Sequence, residues 1–221
     1  METQEILQGL YDETLVGNAP RVLELTEEGL GIGMEPQTLL FDALIPSLEE
    51  VGARFERGDF FVPEMLIAGK AMAGAMERLR PLLAETGVQT VGKFLMGTVK
   101  GDVHDIGKNL VNIMLEGAGF TVHDLGVNVA PEKFVEQVQE HEPDIVGFSA
   151  FLTTTMPMFK ANINALEKSG LRDKVIVMVG GAPMTQEYAD AVGADGYAAD
   201  ASTAVRKAKE LIEKRRSLVP A

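Results

Sequence analysis

Cysteine and tryptophan are both absent from this 221-residue chain. Without thiols there is no disulfide scaffold, no thiolate zinc or iron–sulfur ligation and no cysteine nucleophile. A chain of this length can bury a core without such staples. Cations are in the minority: 20 Lys+Arg against 33 Asp+Glu give a formal charge of −13. That balance repels phosphate backbones and argues against a nucleic-acid groove. No apolar run approaches the roughly 20 residues that cross a bilayer, and the polar start METQEILQGLYDET is unlike a secretory or transit peptide. Neither GxGxxG nor GxxxxGK followed by Ser or Thr occurs, so the usual dinucleotide and P-loop phosphate sites are not expected. No HxxxH pair, low-complexity tract or internal repeat is present. The expectation is a cytoplasmic protein that binds neither nucleic acid nor membrane.

What is there falls into two patterns. Up to about residue 87 the apolar residues recur at helical spacing, as in Leu40, Leu44, Leu48, Val51 and Phe55. Helices are expected near 3–16, 19–29, 36–56 and 63–85, with Pro20, Pro36 and Pro63 in first turns that tolerate a missing N–H. Four helices with short connections suggest an antiparallel bundle over 1–87, followed by a linker that opens at Thr86-Gly87. From residue 88 to 221 short apolar runs (Val91–Met96, Thr121–Leu125, Ile145–Phe148, Val175–Val179 and a weaker Gly196–Ala198) alternate with helical stretches near 107–118, 131–141, 157–169, 185–192 and 200–216. Alternating strands and helices imply βαβ units and an α/β, flavodoxin-like (Rossmann-like) five-stranded parallel sheet.

In such a sheet ligands bind beyond the carboxyl ends of the strands, which gathers three loops on one edge. Strand one leads into TVKGDVHDIG, Thr98 to Gly107. Asp102 and His104 flank one residue, so an extended loop lets both project to one side. A carboxylate beside an imidazole fixes its tautomer and makes the far nitrogen a better ligand or base. The same spacing also suits an ordinary packed Asp–His pair, or a zinc or magnesium site built from Asp102, His104 and Asp105 that lacks a further nearby histidine, since His123 and His141 fall on later elements. Strand three leads into SAFLTTT, Ser149 to Thr155, which has more hydroxyls than the capping of one helix needs. Strand four leads into Gly180-Gly181-Ala182-Pro183, where adjacent glycines let a flat or extended group lie against backbone.

The string GDVHDIGKNLVNIMLEGAGFTVHDLG, Gly101 to Gly126, resembles the cobalamin-binding signature DxHxxG of methionine synthase and of small corrinoid methyl-carrier proteins. Ser149…Thr153 and Gly180-Gly181 fit later segments of the same family. VGARFERGDFFVPEMLIAGKAM, Val51 to Met72, is similar to the helical cap module that precedes the cobalamin domain there. The resemblance spans essentially the whole chain in order.

The resemblance implies that cobalamin binds with its own base off cobalt and that His104 replaces this base as the lower axial ligand, the one metal-ligating side chain. Asp102 would hold the other ring nitrogen and Thr155, where the family often has Ser, would extend the relay. Gly101, Val103, Asp105, Ile106 and Gly107 would complete the first loop of the cofactor site. Ser149, Phe151, Thr153, Gly180, Gly181, Ala182 and Tyr197 would line the lower corrin edge and the nucleotide tail. Phe61 and Met65 would come from the cap, which would shield a methylcobalamin or cob(I)alamin cofactor and move aside about a hinge at Thr86–Val88. The implied function is a methyl shuttle, a subunit with no complete active site of its own. A substrate-specific corrinoid methyltransferase would load it, a second methyltransferase would pass the methyl to tetrahydrofolate or a thiol coenzyme, and a reductive activase would restore it. The donor would be recognised by the partner. A cobalamin-dependent sensor fits less well, because residues 1–35 supply no basic helix-turn-helix and no tryptophan is present.

Overall fold

The computed structural model describes residues 2–86 and 90–218, so beyond Thr86 the expected hinge and the start of the expected linker, residues 87–89, lie outside the described residues. The chain divides into two compact units: the segment up to Thr90 with Glu116–Gly119, and Val91–Leu115 with Phe120 onward.

The first unit is helical: α1 (Thr3–Leu15), α2 (Ala19–Gly31), α3 (Pro36–Leu39), a π-helical turn Leu40–Leu44, α4 (Ile45–Arg57) and α5 (Val62–Thr86). Prolines stand in the first turns of α2 and α3, where no intrahelical N–H is lost. One helix was expected over 36–56, and the π turn divides it. Pro46 is the physical reason: it has no N–H to give the ladder and its ring crowds the carbonyl four residues back, so the backbone takes up one residue in a wider turn, with the Ile45 N–H donating to Leu40 O. Gly58, at φ +78, closes α4 in the left-handed conformation that a side chain disfavours. Ile6, Leu10, Leu25, Leu44, Met72 and Leu79 are buried. Gly29 lets α2 approach α3 closely, since a Cβ there would stand 2.8 Å from Leu39.

The second unit is a five-stranded parallel sheet in the order β2-β1-β3-β4-β5, from β1 (Lys93–Thr98), β2 (Thr121–Asp124), β3 (Ile145–Ser149), β4 (Ile176–Gly180) and β5 (Gly196–Ala198). The intervening helices are α6 (Ile106–Gly117), α7 (Pro131–His141), α8 (Pro157–Lys168), α9 (Gln186–Val192) and α10 (Ala201–Leu218), with a 3₁₀ turn at Arg172–Lys174. This is the flavodoxin-like α/β fold expected. On one face Leu95, Val146, Phe148, Val177 and Val179 meet Phe134 and Val138 of α7 and Phe159 and Ile163 of α8. On the other, Leu211 of α10 packs where a Cβ of Gly196 would stand.

β1 runs two residues further than its apolar pattern predicts, through Gly97 and Thr98, because Gly97 pairs with Phe148 and Thr98 with Ser149. Glycine is needed at 97: a Cβ would lie 2.8 Å from the Phe134 ring. That ring is fully buried and meets Phe148 edge-to-face at 4.8 Å. Phe134→Ala is therefore expected to cost about 3–5 kcal/mol, measured as a lowered midpoint of urea unfolding followed by circular dichroism.

Candidate functional site

β1 and β3 are neighbours in the sheet, but α6 leaves β1 towards β2 while α8 leaves β3 towards β4. The carboxyl ends of β1 and β3 therefore border the point where the strand order reverses, and their loops part around a crevice. The β1 loop first makes a turn, with Asp102 N–H donating to Val99 O at 3.1 Å and Gly101 at φ +85, the left-handed position such a turn requires. The turn delivers Asp102 into a fully buried position.

The carboxylate of Asp102 is the hub of the site. Its Oδ1 accepts from the His104 backbone N–H at 3.0 Å and from His104 Nδ1 at 2.7 Å. Its Oδ2 accepts from Phe151 N–H at 2.8 Å, Leu152 N–H at 3.1 Å and Thr155 Oγ1 at 2.7 Å. Burial pushes the carboxyl pKa up, but the Thr155 hydroxyl and the His104 and Phe151 donors outweigh it and hold the group well below the usual carboxylate range. Asp102 is thus ionised and can only accept. The proton shared with His104 belongs to Nδ1, so in the neutral imidazole the lone pair sits on Nε2. The His104 side chain is 45% exposed and stacks on Phe151 with ring centroids 4.6 Å apart. Thr98 Oγ1 adds a hydrogen bond to His104 O at 3.3 Å.

Val103 and Ile106, one and two residues from His104, Phe151, which stacks on it, and Leu152 next to Phe151 make an apolar collar on these loops, 66, 70, 52 and 39% exposed respectively. Thr155 Oγ1 also lies 2.8 Å from Leu152 O, so its single proton serves two acceptors. The β4 loop runs backbone-to-backbone against the β3 loop. Gly181 stands at φ +132, and a Cβ there would lie 1.8 Å from Ala150 O. Tyr197 on β5 anchors that loop by donating from its hydroxyl to Met184 O at 2.9 Å.

Of the residues expected to form the site, Gly101, Asp102, Val103, His104, Phe151 and Thr155 are brought together. Gly107 is exposed with open space beside it. Ser149, the last residue of β3, and Thr153, in the loop that follows, lie outside the hydrogen-bond cluster on Asp102. Gly180, Gly181, Ala182 and Tyr197 form a second group on the same sheet edge. Phe61 is 65% exposed, whereas Met65 has no exposed surface at all. Among the described residues no three or more His, Cys, Asp or Glu converge as an ion site. Asp102, His104 and Asp105 therefore do not make the zinc or magnesium centre that their spacing left open. Two residues that the sequence did not single out support the β1 loop: Thr98, and Asn128 in the β2–α7 loop. Asn128 is a non-glycine residue at φ +55. The only sequence signal for it was an asparagine following a strand, a common turn residue.

A B12 binding domain family matches residues 92–206, and a second B12 binding domain family matches residues 6–80. A dimethylamine corrinoid protein of Methanosarcina barkeri is 45% identical over 213 residues, covering 96% of this chain and 100% of that one. Among solved structures, a methanol:cobalamin methyltransferase complex from the same organism matches with a TM-score of 0.84 at 27% identity, covering 100% of this chain and 87% of that chain. A cobalamin-binding protein from Desulfitobacterium hafniense matches with a TM-score of 0.68 at 28% identity over the full length of both. The chain belongs to the B12-binding corrinoid proteins.

The residues present fit a corrinoid. A half-exposed imidazole presents a lone pair on the nitrogen that Asp102 leaves free, inside an apolar collar suited to a broad, flat macrocycle. Ser202 Oγ, in the first turn of α10 on the same sheet edge, is buried without a hydrogen-bond partner among the described residues, which suits a polar substituent of such a ligand. No described helix is long and apolar enough to cross a membrane.

Asp102→Asn would point an amide N–H at donors that need an acceptor, and is expected to destabilise the protein at neutral pH by roughly 2–4 kcal/mol. Because the folded pKa lies below the unfolded one, the carboxylate's contribution is complete above its ordinary value of 3.8 and is lost as pH falls towards the folded value. The stability gap between wild type and Asp102→Asn should be constant from neutral pH down to about pH 5 and narrow below about pH 4, as read from thermal unfolding across that range.

Proposed function

We propose that this corrinoid protein binds cobalamin with His104 as the lower axial ligand to cobalt and serves as the methyl carrier of a methylamine methyltransferase system. The observation that carries the reading is the 2.7 Å contact between His104 Nδ1 and the buried Asp102 carboxylate, which holds the proton on Nδ1 and leaves Nε2 to a metal. Bound cobalamin supplies a cobalt centre that accepts and gives up a methyl group. The rest belongs to the chain. Asp102 strengthens the imidazole as a donor and fixes the ring plane. Thr155 and the β3-loop N–H groups keep Asp102 ionised and in place. Phe151 braces the ring from one side, and the exposed Val103, Ile106 and Leu152 would offer apolar surface to the bound corrinoid. Ser149, Thr153, Gly180, Gly181, Ala182 and Tyr197 would receive the lower edge and nucleotide tail.

The substrate class is supported by relatives. Proteins named dimethylamine corrinoid proteins are 40–49% identical to this chain over most of its length, and one named trimethylamine corrinoid protein is 42% identical over 92% of it. On this reading a methylamine-specific corrinoid methyltransferase loads the carrier in the cytoplasm. A second methyltransferase unloads it to tetrahydrofolate or a thiol coenzyme, and a reductive activase restores oxidised cofactor. A neighbour of similar fold was solved as part of a methyltransferase complex, which supports a docked partner as the working state.

Reconstitution with hydroxocobalamin should leave about one corrinoid per chain with a base-off, histidine-ligated spectrum. His104→Ala should retain much of the corrinoid while losing the histidine signature. A protein that stays colourless, or a spectrum indifferent to His104→Ala, would overturn the assignment. Incubation of the reduced, reconstituted protein with methylamine methyltransferases and mono-, di- or trimethylamine should methylate the cofactor with at least one donor and not with methanol.

A further inference from the structure

Asn128 lies outside the β1 and β3 loops and makes two hydrogen bonds to adjacent residues of the ligand loop. It lies in the β2–α7 loop, in the left-handed conformation at φ +55. Asparagine tolerates that region better than other residues with side chains, because its short amide can bond locally. Here the amide reaches across to another loop. Asn128 Oδ1 accepts from the Gly101 N–H at 2.8 Å, and the Asn128 backbone N–H donates to Asp102 O at 2.9 Å. The two bonds bracket the Gly101–Asp102 peptide.

The bracketing falls at a sensitive point. Gly101, itself at φ +85, sets the direction in which Asp102 leaves the turn, and every contact of the carboxylate follows from that direction. Residue 128 is held just as firmly. Val129 N–H donates to Thr98 O at 2.9 Å, and Thr98 N–H donates to Gly126 O at 2.9 Å, so the β2–α7 loop is tied to the last residue of β1 on either side of Asn128. A one-bond rotation at Gly101 would move the carboxylate off the Phe151 and Leu152 N–H groups and release the proton on His104 Nδ1.

We infer that Asn128 is a positioning residue: by clamping the Gly101–Asp102 peptide it sets the Asp102–His104 hydrogen bond and so the nitrogen that His104 presents to cobalt. The inference rests on the proposed role of His104, and its reach is limited to that site. A mere loop-stabilising residue would affect folding alone, whereas this one controls the tautomer and the ligation.

Three variants separate the contributions. Asn128→Asp keeps both an acceptor and tolerance of the left-handed backbone. Asn128→Gly keeps only the backbone. Asn128→Ala keeps neither. In cofactor-free protein, Asn128→Gly and Asn128→Ala are expected to speed hydrogen exchange of the Gly101 amide about five- to tenfold. Nitrogen NMR of the His104 ring should move from the single Nδ1-protonated tautomer to a mixture, and Asn128→Asp should restore both. After hydroxocobalamin loading and reduction, the fraction of cobalt whose paramagnetic resonance shows coupling to a histidine nitrogen should fall at least about twofold in the Gly and Ala variants. Bound corrinoid should stay near one per chain. Unchanged Gly101 exchange and an unchanged tautomer in Asn128→Gly would overturn the inference. If the wild type itself shows no nitrogen coupling, the role of His104 fails instead, and the exchange and tautomer measurements on cofactor-free protein still decide Asn128.

Discussion

A single buried carboxylate organises the functional end of this protein. An ionised group placed out of water is tolerable only when donors replace its hydration, and Asp102 collects five of them from two loops. Two of these donors are backbone N–H groups of the β3 loop and one is a threonine hydroxyl of that loop. The β1 and β3 loops, which diverge at the reversal of strand order, are thereby held at a fixed separation by one negative charge. The requirement runs both ways: the charge needs the loops, and the β3-loop N–H groups, which have no strand or helix to serve, need the charge.

The consequence is chemical as much as structural. An acceptor that cannot give a proton settles which imidazole nitrogen carries one, and the lone pair of the other is then directed by the same geometry. The apolar collar of Val103, Ile106, Phe151 and Leu152 is exposed surface that folding alone does not explain. On the proposed function it is the seat of a large, flat ligand whose binding would remove that surface from water. Backbone glycines serve the same end at Gly181, where any side chain would strike Ala150, so the β4 loop packs flush against its neighbour.

Much of this was legible from the residues in order. The alternation of short apolar runs with helical stretches set the number of β-strands and their parallel sense, because a parallel sheet must return each strand through a crossover. The pairing of Asp102 with His104, and the gathering of their loop with SAFLTTT and GGAP, followed from the rule that loops after parallel strands share an edge. Less visible were features that depend on contacts distant in sequence. β1 extends through Gly97 and Thr98 only because β3 offers partners and Phe134 occupies the glycine's missing side chain. The interruption of the helix at Leu40–Leu44 was signalled by Pro46, yet a π turn is one of several ways to accommodate a proline. Phe61 and Met65 share a helical spacing, but one is exposed and the other fully buried, a difference that spacing cannot supply.

The amino-acid sequence by itself determined the fold class, the absence of thiol chemistry, the edge of the sheet where the candidate site lies and the Asp102–His104 pair at its centre. These depend on periodicity and on residues two apart, which a reader of the chain can see. Tertiary structure alone decided that Asp102 is ionised, that Phe151, Leu152 and Thr155 hold it there, and that Asn128 braces the turn that delivers it. Each of these is a hydrogen bond between loops 26 or more residues apart, and a hydrogen bond depends on a distance and an angle that exist only once the sheet has brought the loops together.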